Sequence, residues 1–312
     1  MDVPTSEPEN GALVLYGGPI SGTAGVDERL PRNPTSIRAR LEALATAWEW
    51  PLTLLKIDLI DNGASVTAPV LQLIEEQLAG MRLIFIVGET GCGKSSLLEE
   101  LTGYRQDVSN TLEAGRQKCG IWPVLIQGRP YLFVDTPGFG SAGVDDTVIM
   151  GNIVSGLRDL GPRTQMAGVL FLHAANKDRL HASDIKMIRW LQCFCGPAFY
   201  QNVTIVTSKW DKVTSDDLRD ANSKIWEAIF GGLNAVRDPP CPFMGAGLYH
   251  HGFQDCGSWI YSDDQQMRTL SRKRDQAERC ARIRALIHER YGRPRRPVVK
   301  LQIQAELDEG RA

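Results

Sequence analysis

Between positions 88 and 96 the chain reads Gly88-Glu89-Thr90-Gly91-Cys92-Gly93-Lys94-Ser95-Ser96, which is the spacing G-x-x-x-x-G-K-S. Residues so spaced suit one kind of chemistry. Successive backbone N–H groups of a glycine-rich turn can wrap an anion, and the N-terminus of a following helix adds partial positive charge. In that arrangement Lys94 reaches the β- and γ-phosphates of a nucleotide and the Ser95 hydroxyl ligates Mg²⁺. The run binds a polyphosphate but does not say which base is attached.

Two further runs narrow the ligand. Tyr131-Leu-Phe-Val-Asp135 leads into Thr136-Pro137-Gly138. A carboxylate at the tip of a buried strand beside a phosphate loop can hold Mg²⁺, here through Asp135, and the Gly138 N–H can sense a γ-phosphate. Farther on, Thr204-Ile-Val-Thr207 feeds Ser208-Lys209-Trp210-Asp211, close to the pattern [N/T]-K-x-D. The Asp211 carboxylate can accept two hydrogen bonds from guanine, at N1–H and the exocyclic amine, which adenine cannot offer. The Lys209 stem packs on the base plane, and Ser208 is shorter than the usual Asn. Pro242-Phe-Met-Gly245-Ala246 reads as a last strand entering a base-capping loop.

The elements around these runs must hold them at one edge. Apolar runs at Leu83–Val87, Tyr131–Val134, Gly168–Leu172 and Val203–Thr207 alternate with helical patterns, which predicts a mostly parallel sheet covered on both faces. The pattern in Ser183–Leu191 turns Ile185, Ile188 and Leu191 inward, and 264–291 reads as one helix with Leu270, Ala277, Cys280, Ile283 and Ile287 inward, stopping at Gly292. Upstream, 1–33 is rich in Pro, Gly, Ser and Glu and reads as disordered. Short helices are predicted at 35–48 and 68–78, with a strand within Leu52–Ile60.

At 312 residues, 43% hydrophobic and 23% charged, the chain has the composition of a globular protein. The seven cysteines show no C-x-x-C spacing, which argues against a disulfide framework or a zinc site and for a reducing compartment. Cys193 and Cys195 read as buried thiols near a helix end. The polar start and the lack of a long apolar run predict a cytoplasmic protein with no transmembrane segment. Charge is uneven: 268–296 carries eleven Lys or Arg against three acids, within a net charge of −2. That basic stretch is a candidate for weak contact with an anionic surface, or simply a solvated helix face.

In order and spacing, the three motifs resemble the septin-like branch of the translation-factor-class P-loop GTPases, and within it fungal G-domain proteins related to the immunity-associated GTPases. The likeness runs through Phe171-Leu-His173-Ala-Ala-Asn-Lys-Asp178-Arg179, Leu191-Gln-Cys-Phe-Cys-Gly196 and Asn202–Val213, and reaches Leu301–Gly310, which is similar to the start of a coiled coil. It implies a three-layer α/β G domain at 80–292, after a partly helical extension at 1–79 and before a tail at 293–312. It also implies GTP/GDP and Mg²⁺ as cofactors, Cys256-Gly257 as a competing base-capping pair, and a homodimer through the nucleotide face in which His173 and Arg179 are candidate surface residues, although His173 reads first as a structural hydrogen-bonded histidine.

Two departures bear on turnover. The resemblance places a switch threonine where Arg116 stands, and arginine cannot ligate Mg²⁺; Thr111 is the nearest substitute. Phe139 follows Gly138 where small signalling GTPases place a water-orienting glutamine. Hydrolysis of GTP to GDP and phosphate is therefore expected to be slow and helped by a partner. A nucleotide-binding scaffold without turnover and an ATP-binding protein sharing only the phosphate loop remain the competing readings.

Overall fold

A computed structural model describes residues 57–58, 80–102, 120–136, 138, 164–177, 182–214, 216–253, 268–293 and 299–309, with scattered positions between 151 and 161. The readings for 1–33, 35–48 and 68–78 lie outside these residues, as do Thr111, Arg116, Phe139, Arg179 and Cys256-Gly257.

Seven strands form one sheet: β1 (Ile57–Asp58), β2 (Arg82–Gly88), β3 (Gly120–Ile126), β4 (Arg129–Asp135), β5 (Gln165–Ala174), β6 (Val203–Ser208) and β7 (Gly247–His250). Their order is β1-β3-β4-β2-β5-β6-β7. The five from β4 to β7 across the sheet run parallel, and β3 runs antiparallel to both β4 and β1. The helices are α1 (Lys94–Thr102), α2 (Ala182–Cys195), α3 (Leu218–Gly232), α4 (Asn234–Arg237), α5 (Gln276–Tyr291) and α6 (Gln302–Asp308).

The alternation of side chains along β2 explains the three layers. Leu83, Phe85 and Val87 face a core completed by Leu157, Leu160 and, from α2, Met187, Leu191 and Phe194. Ile84 and Ile86 face the opposite core with Leu97, Leu98 and Leu101 of α1 and Ile283 and Ile287 of α5. Both faces are buried, so β2 appears in the sequence as an unbroken apolar run rather than an alternation.

Four expectations change. The helix over 264–291 begins at Gln276: Thr269 pairs with Phe253, and the Ser271 N–H donates to Asp275 Oδ2 at 2.7 Å. Short polar side chains bonding nearby backbone break a helix in this way. In α2, Ile185 is 43% exposed while Met187, Trp190 and Phe194 join Ile188 and Leu191 inside, because a face half a turn away buries the bulkier aromatics. Cys195 is buried but Cys193 is exposed, both as free thiols. The last strand begins at Gly247, beyond the Pro242–Ala246 run. The apolar runs predict β4 but not the β3–β4 hairpin. It turns at Gln127 (φ 47°) and Gly128 (φ 73°), the two positive values that a tight two-residue hairpin needs.

The tail packs on the domain: Leu301 is fully buried, and Val299 and Ile303 lie against the α2 side of the core. No described helix is long and apolar enough to cross a membrane.

Candidate functional site

Parallel pairing brings the chemical residues to one end of the sheet. In register, Ile86 lies opposite Asp135, Gly88 opposite Leu172, Ala174 opposite Ser208, and Thr207 opposite His250. The carboxyl ends of β2, β4, β5, β6 and β7 therefore share an edge, which is where open α/β sheets bind ligands.

After β2 the backbone turns through Gly91 (φ +79°) and Gly93 (φ +103°), left-handed values that glycine adopts without strain. The turn delivers the chain into α1 at Lys94. Lys94 is buried and its ammonium donates to the carbonyls of Gly88 at 2.8 Å and Glu89 at 3.0 Å. The cation is thus already seated in the loop that a phosphate would enter. Ser95 is exposed at the start of α1, and Asp135 is half-buried at the end of β4. A hydroxyl and a carboxylate are hard oxygen donors and suit Mg²⁺.

Gly138 lies directly on the phosphate loop. A Cβ there would fall 2.3 Å from Thr90 Oγ1 and 2.6 Å from its Cα, so only glycine permits this approach. Thr136, before it, donates its hydroxyl to the Ile86 carbonyl at 2.9 Å and fixes the strand end.

The base-motif residues are bound to the same loop. The Ser208 hydroxyl donates to the Cys92 carbonyl at 2.5 Å, joining the end of β6 to the phosphate turn. Lys209 adopts a left-handed conformation (φ 61°) and opens a short 3-10 turn over Trp210–Lys212 that carries Asp211. Trp210 is fully buried, its indole N–H donating to Thr207 Oγ1 at 2.9 Å with Phe253 edge-on at 4.4 Å. It is the wedge that sets the turn. The Cys92 thiol has its pKa pushed up by burial, against the pull of Lys94 and Lys209 and with a push from Asp135. Charges from all three motifs therefore bear on one buried sulfur.

Gly245 and Ala246 do not join this edge. The Ala246 N–H donates to Val236 O at 2.9 Å, and Gly247 pairs with Thr204, so both residues precede β7 at the opposite end of the sheet. The loop that leaves β7 beside Ser208 is instead His251-Gly252-Phe253. It carries no pair of small residues, the feature by which a base-capping loop is legible in sequence.

His173 is buried at the end of β5 with its ring 3.9 Å from Asp184, turned into the domain. Lys177, which no motif indicated, pairs with Glu89 of the phosphate loop and sits 3.3 Å from Asp184 Oδ1. The basic helix also faces inward in part: Arg279 bonds Glu100, Arg284 bonds the carbonyls of Leu101 and Leu125, and Arg290 those of Gln201 and Val203.

Residues 83–193 match a family model described as 50S ribosome-binding GTPase. The mostly parallel sheet with helices on both faces has the fold of a P-loop G domain. Among solved structures, this G domain is similar to Toc33 from Arabidopsis thaliana in complex with GDP and Mg²⁺, at 15% identity and TM-score 0.45, over 71% of this chain and 88% of that one. It is also similar to the bacterial selenocysteine-specific elongation factor EF-Sec, at 13% identity and TM-score 0.44, over 70% of this chain and 30% of that one. No curated protein matches the sequence.

Proposed function

We propose that the chain binds GTP and GDP with Mg²⁺ and hydrolyses GTP slowly, with help from a second copy across the nucleotide face. The observation that carries this reading is the 2.5 Å bond from Ser208 to the Cys92 carbonyl, which holds the base motif and the phosphate loop as one unit. A serine in place of the usual asparagine still makes that link because the two backbones approach closely.

In this reading the N–H groups from Glu89 to Ser96 cradle the phosphates and Lys94 leaves its two carbonyls for phosphate oxygens. Ser95 and Asp135 would hold Mg²⁺, which supplies charge neutralisation at the phosphates. Gly138 senses the γ-phosphate, and Asp211 and Lys209 read and cover the guanine. The base-capping role assigned from sequence to Gly245 and Ala246 passes to His251 and Gly252, the loop on the correct edge. The motif stretch Phe171–Arg179 and the Asn202–Val213 run support placement in the septin-like branch. Phe139 offers no hydrogen bond to an attacking water, so turnover depends on Lys94, backbone donors and groups from a partner. A scaffold that binds without turnover is the second reading, favoured by the same Phe139.

The test is calorimetric titration of the full chain with GTP, GDP, XDP and ATP in Mg²⁺, for the wild type and Asp211→Asn. GDP affinity should fall by about 2–3 kcal/mol, the worth of a charged hydrogen-bond pair, while XDP affinity rises. Equal affinity of the wild type for ATP and GTP would sink guanine reading. Single-turnover phosphate release that disappears in Lys94→Ala would exclude the scaffold.

A further inference from the structure

Behind the base-reading corner, on the face covered by α1 and α5, three ionisable side chains meet away from water. They are Glu100 of α1, His251 after β7 and Arg279 of α5, none more than 4% exposed. His251 Nε2 lies 2.7 Å from Glu100 Oε2, and the Arg279 Nε–H donates to Glu100 Oε1 at 3.1 Å. Arg279 also donates through Nη1 to the Leu270 carbonyl at 3.0 Å.

His251 Nδ1 has no hydrogen-bond partner among the described residues. Burial pushes the His251 pKa down, opposed by Glu100, with Asp211 adding a smaller opposing pull. A neutral ring that donates Nε2–H to Glu100 and leaves a bare lone pair at Nδ1 fits this environment at least cost. The carboxylate is held below its usual range: burial, which acts against ionisation, is outweighed by His251 and Arg279.

The loop at β7 is gripped from both sides by this set. A Cβ on Gly252 would lie 2.3 Å from Arg279 Nη1, so the guanidinium packs against the loop backbone itself. The His251 N–H donates to Thr207 O at 2.8 Å, and the Leu270 N–H to Gly252 O at 2.7 Å. Stability alone is a weak reason for the arrangement, since buried ion pairs roughly break even with apolar residues of similar volume. What it does that apolar packing would not is fix one orientation. Glu100 is six residues past Lys94 on a rigid helix, about 9 Å along its axis.

Resting on the guanine-nucleotide reading above, we infer that Glu100, with His251 and Arg279, is a positioning set that couples the phosphate loop to the loop facing the base. Occupying the phosphate loop steadies α1, and Glu100 passes that constraint to His251 and Gly252. Phosphate and base are then gripped cooperatively rather than independently.

Peptide-resolved hydrogen exchange on the full chain tests this with inorganic pyrophosphate and Mg²⁺, which carry no base. Pyrophosphate should slow exchange at 88–101 and also at 250–253, the latter by about fivefold or more. In Glu100→Gln the first effect persists, the second fades, and the preference for GDP over ADP falls by a similar factor. Protection confined to 88–101 in the wild type overturns the coupling, and this arm stands even if the variant folds poorly. Unchanged coupling in a folded Glu100→Gln also overturns it. Absence of protection at 88–101 by pyrophosphate and GDP alike overturns the phosphate-loop reading, and the coupling with it.

Discussion

His250 ends β7 and His251 opens the loop after it, and their surroundings assign them different work. His250 sits under Trp210 with Nδ1 2.7 Å from Thr207 Oγ1, and burial pushes its pKa down to about 4. The folded ring therefore resists a proton that the unfolded chain accepts near pH 6.5, so the unfolded state binds more protons between those values and stability falls on acidification. Unfolding in denaturant at pH 7 and pH 5 should show a loss of about 2 kcal/mol attributable to this ring. His250→Gln should remove that part of the slope, while His251, whose pKa is shifted the same way, keeps a remainder. A wild-type slope that survives intact in the variant would rule the assignment out. At this scale the sequence is legible in placement where a motif fixes both residue type and spacing: Lys94 opens α1, Asp135 ends β4 and Asp211 lies in the turn after β6, their ligand roles resting on the proposal above. It was silent where the partner is distant: nothing near Glu100 announces His251, 151 residues away, or Arg279.

Among the elements, the parallel strands were readable because both faces are buried and the apolar runs are continuous. The ends of β2, β4, β5 and β6 lie within about three residues of the apolar runs, whereas β7 (Gly247–His250) lies wholly beyond the Pro242–Ala246 run that reads as the last strand. The β3–β4 hairpin is hidden in the sequence because Pro123 lies inside β3, where a proline argues against a strand, although it pairs with Leu132 in register. The start of α5 lies later than the sequence pattern because basic residues before Gln276 continue a helical pattern that local side-chain bonds to backbone interrupt. The C-terminal tail shows the reverse case, a segment whose tertiary contact no local pattern discloses. Leu301 is fully buried at the foot of α6, and α6 lies along α2. Leu301→Ala should lower unfolding free energy by about 2–5 kcal/mol, as deletion of a buried leucine side chain does. A loss below half a kilocalorie per mole, about the scale of a surface change, would mean the tail detaches in solution.

For the whole molecule, the proposed dimer makes the nucleotide edge the meeting surface, and the arginines of α5 bear on what else the chain can bind. Arg279, Arg284 and Arg290 bond inward, so the +8 of 268–296 is not all available to an external anionic surface. With Phe139 unable to aim a water, GTP turnover per chain should rise with protein concentration, approaching a plateau as dimers saturate. Phosphate release measured across about two decades of concentration, alongside sedimentation of the same samples, checks this against the partner-gain scale known for phosphoryl transfer. A rate per chain that stays flat while dimers accumulate would exclude catalysis in trans. The buried sulfur under the phosphate turn offers an independent view of the same edge. Cys92 packs so closely that a Cβ on Gly88 would fall 2.7 Å from its Sγ, and it is held as an unreactive thiol. It can meet a labelling reagent only when the turn opens, so its alkylation half-time is a native clock for that opening, readable without any nucleotide analogue or engineered probe.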